Sequence, residues 1–295
     1  VGASLTPTAF DRWPDCYRLA NDAVELILAS SFGPRIVGFR LAGGENVLKV
    51  FPPAPGRIRG GHRLWVAPEV PAVTWVDDSR PVRVEPIPGG ARLTGSREPE
   101  SGLEKEIEIR LDGANATLTH RVTNRNAWPI TFAPWALTQM APGGIAFSGF
   151  APQGEHPRDL LPAQPLVRWP YTDLADPRWT WMTRYFALRH DPDAPRPNKI
   201  GSFLRRPWGA YLNDGTLFVK WAESRPGRYP DLSCNFEVFA NAAMLELETL
   251  GPLETPAPGE TLEHTEYWSL YGGVRLAAFT DEAVHELLAG RIPPQ

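Results

Sequence analysis

The chain has 295 residues, 42% hydrophobic and 22% charged, which is enough apolar material for a packed core and excludes wholesale disorder. With 30 Lys and Arg against 34 Asp and Glu the net charge is −4 and no block of like charge occurs, so the basic face that nucleic acid demands is not expected. The 32 Pro and 26 Gly carry no G-X-Y period and predict many turns and few long helices, and no run approaches the roughly 18 apolar residues of a membrane span.

The opening residues Val1, Gly2, Ala3 and Ser4 show no basic segment followed by an apolar stretch. No secretory signal is read there, and the expected compartment is the cytoplasm, or the periplasm if this terminus is a trimmed export product. Cys16 and Cys234 sit in no CxxC or zinc-type spacing. They are either two buried thiols or one long-range disulfide. No metal or other cofactor is expected.

In chain order, strand-like runs fall at 24–28, 36–41, 82–86 and 91–94. The clearest alternation follows at 103–111, where Leu103, Ile107, Ile109 and Leu111 point one way and Glu104, Glu106, Glu108 and Arg110 the other. Asp112-Gly113 then turns the chain into a second strand over 116–123, predicting an antiparallel hairpin. Further runs lie at 130–139, 209–212, 217–221, 236–239, 244–249 and 262–270, separated by turn signals such as Asn213-Asp214-Gly215 and Pro258-Gly259. Many short strands with hairpin turns predict antiparallel sheets packed face to face. One helix is expected at 280–289, with Thr280 as its cap, Asp281 and Glu282 in its first turn and Gly290 as its stop. The stretch 153–207 is rich in Pro and Trp with little periodicity, and is expected as a long excursion lining or covering a site. The whole chain, 1–295, is expected to form a single domain.

Five segments concentrate chemistry. In 59–69, two glycines precede His62, Arg63, Trp65 and Glu69, offering either close backbone approach to a ligand with donors, a carboxylate and a flat apolar face, or a loop in which Arg63 and Glu69 merely pair and His62 caps a backbone group. Trp135, in 129–139, could stack on a sugar ring or fill a core. Lys199, at the end of the excursion, could reach an anionic or hydroxyl-rich ligand or stay solvated. The last two segments form one block, 229–252. If Met244, Glu246 and Glu248 share a strand face, Leu245 and Leu247 must face the core, and pairing with the preceding strand would bring Asp231, Asn235 and Glu237 nearby. Carboxylates crowded in this way raise one another's pKa and can yield a general base. The alternative is a solvated polar strand face. No GxSxG, P-loop or dinucleotide-binding signature is present.

Taken in order, these segments resemble the galactose mutarotase-like (aldose 1-epimerase-like) superfamily, over roughly residues 20–272. The resemblance is closest to a bacterial branch carrying Gly60-Gly61-His62-Arg63-Leu64-Trp65 and Glu248-Thr249-Leu250-Gly251-Pro252. Its best anchor is Leu247-Glu248-Thr249, followed by Pro258-Gly259-Glu260 and a last long strand. The resemblance implies an all-β fold, a large antiparallel twisted β-sandwich with a short C-terminal helix, binding a small-molecule carbohydrate on a concave sheet face. It also implies acid/base interconversion of the anomers of an aldose or modified sugar, with Glu248 as base. The family's acid histidine falls at or beside Trp135 here, which leaves His62 as the acid candidate. Arg63, Glu69, Trp135, Lys199, Asp231 and Glu237 are expected to bind substrate. Two alternatives stand beside this reading: a carbohydrate-binding protein without turnover, and a two-carboxylate glycosidase or lyase using Glu237 and Glu248. The oligomeric state is left open.

Overall fold

The alternation over 103–111 becomes one strand of a hairpin. Leu103, Ile107 and Ile109 are buried, while Glu106 and Glu108 face outward against Arg121 and Arg92. Such partly exposed ion pairs add little stability, so the hairpin is held chiefly by its apolar face. The computed structural model describes residues 2–51 and 59–294, which cover all but the ends and one internal segment of the 1–295 span expected as one domain.

Among the described residues, strands of this kind assemble into two ten-stranded antiparallel sheets. The first sheet runs, in spatial order, β1 (Ser4–Phe10), β2 (Trp13–Ala20), β3 (Val24–Ala29), β4 (Arg35–Leu41), β5 (His62–Ala67), β10 (Ala133–Met140), β19 (Leu245–Leu250), β18 (Phe236–Ala240), β15 (Asn198–Ser202) and β12 (Leu166–Arg168). The second runs β13 (Trp179–Trp181), β14 (Tyr185–Arg189), β11 (Ile145–Gly149), β16 (Trp208–Asn213), β17 (Thr216–Ala222), β20 (Thr261–Gly272), β9 (Asn115–Asn124), β8 (Leu103–Asp112), β7 (Gly90–Thr94) and β6 (Arg83–Ile87).

The largest core cluster draws on both sheets, with Leu26, Phe39, Leu245 and Leu247 from one and Ile107, Leu118, Phe218 and Trp268 from the other. Phe39 and Phe218 each pack on Trp268, with ring centroids 5.5 and 5.2 Å away, and lock the layers at mid-sandwich. The C-terminal helix, Asp281–Leu288, begins where Thr280 accepts a hydrogen bond from the Ala283 N–H. Its buried stripe of Val284, Leu287 and Leu288 packs with Trp208 and Val219 of the second sheet.

Three expectations are refined. Residues 130–132 precede rather than begin β10. The excursion 153–207 is not irregular throughout: it contributes β15 and β12 to one end of the first sheet and β14 and β13 to one end of the second. Cys16 and Cys234 are both free and buried, and burial pushes the Cys16 thiol up to about 11.

Candidate functional site

Three central strands of the first sheet carry an outward-facing set of polar and aromatic residues. On β5, Arg63 and Trp65 point outward; on β10, Trp135 and Leu137; on β19, Glu246 and Glu248. Registry fixes their neighbours, since Trp135 pairs with Trp65 and Leu250, and Leu137 pairs with Arg63 and Glu248. Leu245 and Leu247 turn the other way into the core, as strand alternation requires. These residues floor a cavity of about 530 Å³, within the usual range for a small-molecule site. Its walls come from Tyr171 of the excursion and from Glu69 and Trp75, which flank the short helix Pro71–Thr74.

At the floor lies a lysine clasped by two glutamates. Lys199 Nζ is 2.6 Å from Glu237 Oε2 and 2.9 Å from Glu248 Oε2. Glu237 and Glu248 are direct cross-strand partners on β18 and β19, which is why one ammonium reaches both. The Trp135 indole N–H donates to the same Glu248 Oε2 at 2.8 Å, leaving Glu248 Oε1 buried without a partner among the described residues. The ammonium also sits 4.7 Å from the ring centres of both Trp135 and Trp169.

Burial alone would lower the Lys199 pKa, but Glu237 and Glu248 hold it well above the usual lysine value. Burial pushes Glu237 well above the carboxylate range, opposed by Lys199 and reinforced by Glu248 and Asp231. Glu246 is also raised by burial, with Arg63 opposing; it accepts from Gln139 Nε2 at 2.7 Å and lies 3.4 Å from Arg63 Nη2. The Arg63 guanidinium stacks 3.6 Å over Trp65, and its Nε is buried without a partner among the described residues.

The structure gathers Arg63, Glu69, Trp135, Lys199 and Glu248 around the cavity, with Glu237 directly beneath Lys199. Asp231 lies one step further back, its pKa raised by burial. It belongs to a left-handed turn in which Asp231, Leu232 and Ser233 have φ of 50°, 60° and 78°.

His62 is placed elsewhere. Strand parity on β5 sends it to the opposite face from Arg63, into the interior between the sheets, where it is fully buried and does not reach the cavity. Gly60 and Gly61 approach neighbouring backbone rather than a ligand: at φ of 88° and 73°, a Cβ would stand 2.2 Å from Lys49 O and 2.1 Å from Ile36 O. The cavity also recruits residues that sequence reasoning did not select, notably Arg35, Tyr171 and Trp75. The signal available for His62 was parity itself, since a strand showing Arg63 and Trp65 to one side must show His62 and Leu64 to the other.

Among the described residues, His62, His120 and Glu266 form the one group with metal-ligand geometry. Their contacts fit hydrogen bonding better than coordination. Lys220 Nζ donates to Thr138 Oγ1 at 3.0 Å, and Thr138 Oγ1 is 2.9 Å from His62 Nδ1. His62 Nε2 meets His120 Nε2 at 2.7 Å, and His120 Nδ1 is 2.9 Å from His264 O. One consistent assignment threads the whole series, with each group donating to the next and both imidazoles neutral. The ammonium of Lys220 lies 2.6 Å from Glu266 Oε1, where it supplies the positive charge a metal would bring. Two nitrogen ligands at about 2.0–2.1 Å from a zinc would also stand further apart than this histidine pair.

No protein-family model and no curated protein matches the sequence. Solved structures do match. A candidate aldose 1-epimerase from Klebsiella pneumoniae superposes with a TM-score of 0.59 at 11% identity, covering 97% of this chain and 85% of that one. A galactose mutarotase-like protein from Lactobacillus casei gives 0.52 at 10%, covering 87% and 100%. A galactose mutarotase related enzyme from Lactobacillus acidophilus gives 0.53 at 11%, covering 88% and 98%. Two large antiparallel sheets, a cavity on the outer face of one of them, a short C-terminal helix and these superpositions together identify the fold of this chain as galactose mutarotase-like.

Proposed function

We propose that the protein binds a small carbohydrate in this cavity and interconverts its anomers. The observation that carries the reading is Glu248: one carboxylate oxygen is fixed by Trp135 and Lys199, and the other is left without a partner among the described residues. The aromatic faces of Trp65 and Trp135, 5.5 Å apart and tilted at 69°, offer a surface for the C–H face of a pyranose, while Arg63 and Lys199 offer donors to hydroxyls. The fold neighbours described as mutarotase-like and as a candidate aldose 1-epimerase support the same class of ligand.

Ring opening requires that the anomeric hydroxyl lose its proton to a base as the ring oxygen gains one from an acid. Glu248 Oε1 is the base in this reading. His62 is out of reach on the interior face, so the acid must be another residue of the cavity.

The test is NMR or polarimetry on freshly dissolved single anomers, with the spontaneous rate subtracted. Glu248→Gln should keep sugar binding and lower the catalysed rate by about 10²–10⁴. A wild-type protein that binds sugar yet accelerates no anomer would favour the second reading, a carbohydrate-binding protein without turnover; Trp135 standing where the resemblance expects an acid histidine favours it. The arrangement gives a two-carboxylate glycosidase less support, because Glu237 lies beneath Lys199 and does not line the cavity.

A further inference from the structure

We infer that Lys199 is the acid partner of Glu248: its ammonium delivers the proton to the ring oxygen while Glu248 removes the one on the anomeric hydroxyl. The inference rests on the proposed anomer interconversion and names the group that reading lacks.

The geometry supplies three reasons. An ammonium has three N–H donors; here one goes to Glu248 Oε2 at 2.9 Å, while Glu237 Oε2 faces the charge as an ion pair at 2.6 Å, so a donor remains for the cavity that Lys199 lines. The side chain is pinned, with its backbone N–H held by Thr172 Oγ1 at 2.9 Å and its Nζ flanked by the faces of Trp135 and Trp169. Acid and base are also already in contact, so both reacting edges of one small ring can meet them at once.

The proton balance closes within the pair. Glu248 Oε1 takes the hydroxyl proton, the O–H electrons form the carbonyl at C1, the C1–O5 bond breaks, and O5 takes a proton from Lys199 Nζ. The ion pair thereby becomes a neutral carboxylic acid beside a neutral amine, with no net charge created in a buried site, where separated charge is costly. After rotation about C1–C2, the amine recovers the O5 proton as O5 attacks C1, and Glu248 returns its proton to O1. Glu237 takes no part in the transfer and acts as a positioning residue.

The groups facing the ammonium are Glu237, Glu248, Tyr171 and, one step back, Asp231, with Glu246 and Arg63 across the floor. The two contacting glutamates keep Lys199 protonated above the ordinary lysine range, so an acid of this kind stays loaded through pH 9–10, where a histidine would already be spent.

The experiment is a rate profile from pH 5 to 10.5 on single anomers, with three variants and binding followed by tryptophan emission. Wild type should show no loss of catalysed rate between pH 7 and 9.5. Lys199→Met, and Lys199→Met with Glu237→Gln to restore the local charge balance, should bind sugar yet lose at least about 10²-fold in rate. Lys199→Arg should likewise keep binding without the rate, because a guanidinium keeps its protons. A normal rate in the double variant, recovery of rate by arginine, or a wild-type decline centred near pH 7 would each overturn the assignment while leaving anomer interconversion standing. Absence of any wild-type rate would overturn both.

Discussion

His62 Nε2 and His120 Nε2 stand 2.7 Å apart at the centre of the sandwich, although one belongs to β5 of the first sheet and the other to β9 of the second. The hydrogen bond between them joins the two layers where apolar contact would ordinarily do so alone. It requires that at least one of the facing nitrogens carry no proton, and so ties the layers to neutral imidazole.

This arrangement sets an acid limit on the fold. Burial lowers His62 well below its usual value, lowers His120, and lowers His264 to about 3. Below about pH 6.5 the unfolded chain binds protons that the folded one refuses, so stability is full above that pH and declines as pH falls toward the folded values. Each histidine contributes a slope of about 1.4 kcal/mol per pH unit within its window. Urea midpoints at pH 7.5, 6.5, 5.5 and 4.5 should fall progressively below 6.5, and midpoints unchanged from 6.5 to 4.5 would refute the account.

Lys220 and Glu266 form the charged end of the same network, both fully buried and 2.6 Å apart. Lys220→Met should cost about 3–5 kcal/mol in chemical denaturation, because the carboxylate remains in the interior without its cation. Adding Glu266→Gln should recover part of that loss. Equal destabilisation in the single and double variants would mean that packing, not charge, sets the cost.

Leu232 is 80% exposed with φ of 60°, a backbone region disfavoured for any residue bearing a Cβ. Leu232→Gly relieves that strain and forfeits little packing, and after the extra entropy of glycine in the unfolded chain it should raise stability by about 0.5–1 kcal/mol. A lowered melting temperature would show that the leucine side chain matters more than the backbone.

Trp135 offers a flat face to the cavity and a single N–H to Glu248. On titration with sugar, Trp135→Ala should weaken both affinity and the emission change, whereas Trp135→Phe keeps the stacking face and should hold affinity within a few-fold. Identical binding curves for wild type and Trp135→Ala would remove this residue from the ligand contact.

Strands with one wet and one dry face were legible in the sequence. The run 103–111 alternates because its outer face meets solvent, and β19, although buried on both faces, alternates because Glu246 and Glu248 face the cavity between the core residues Leu245 and Leu247. β5 and β15 were hidden for the opposite reason. Both faces of each are covered, one by the core and one by the cavity, so Arg63, Trp65 and Lys199 sit among buried neighbours without a polar rhythm. The cluster of Glu237, Glu248 and Lys199 needs the order β19-β18-β15, which pairing decides and local pattern does not.

The Pro- and Trp-rich stretch supplies the last strands of both sheets at one end of the sandwich, β12 beyond β15 and β13 beyond β14. Cutting it away would bare the hydrogen-bonding edges of β18 and β11 together and take Lys199 with it. Two raw edges on one molecule invite strand addition by another copy. Shortening this stretch would thus couple loss of ligand chemistry to self-association, and an aggregating truncation would report on exposed strand edges before it reported on catalysis.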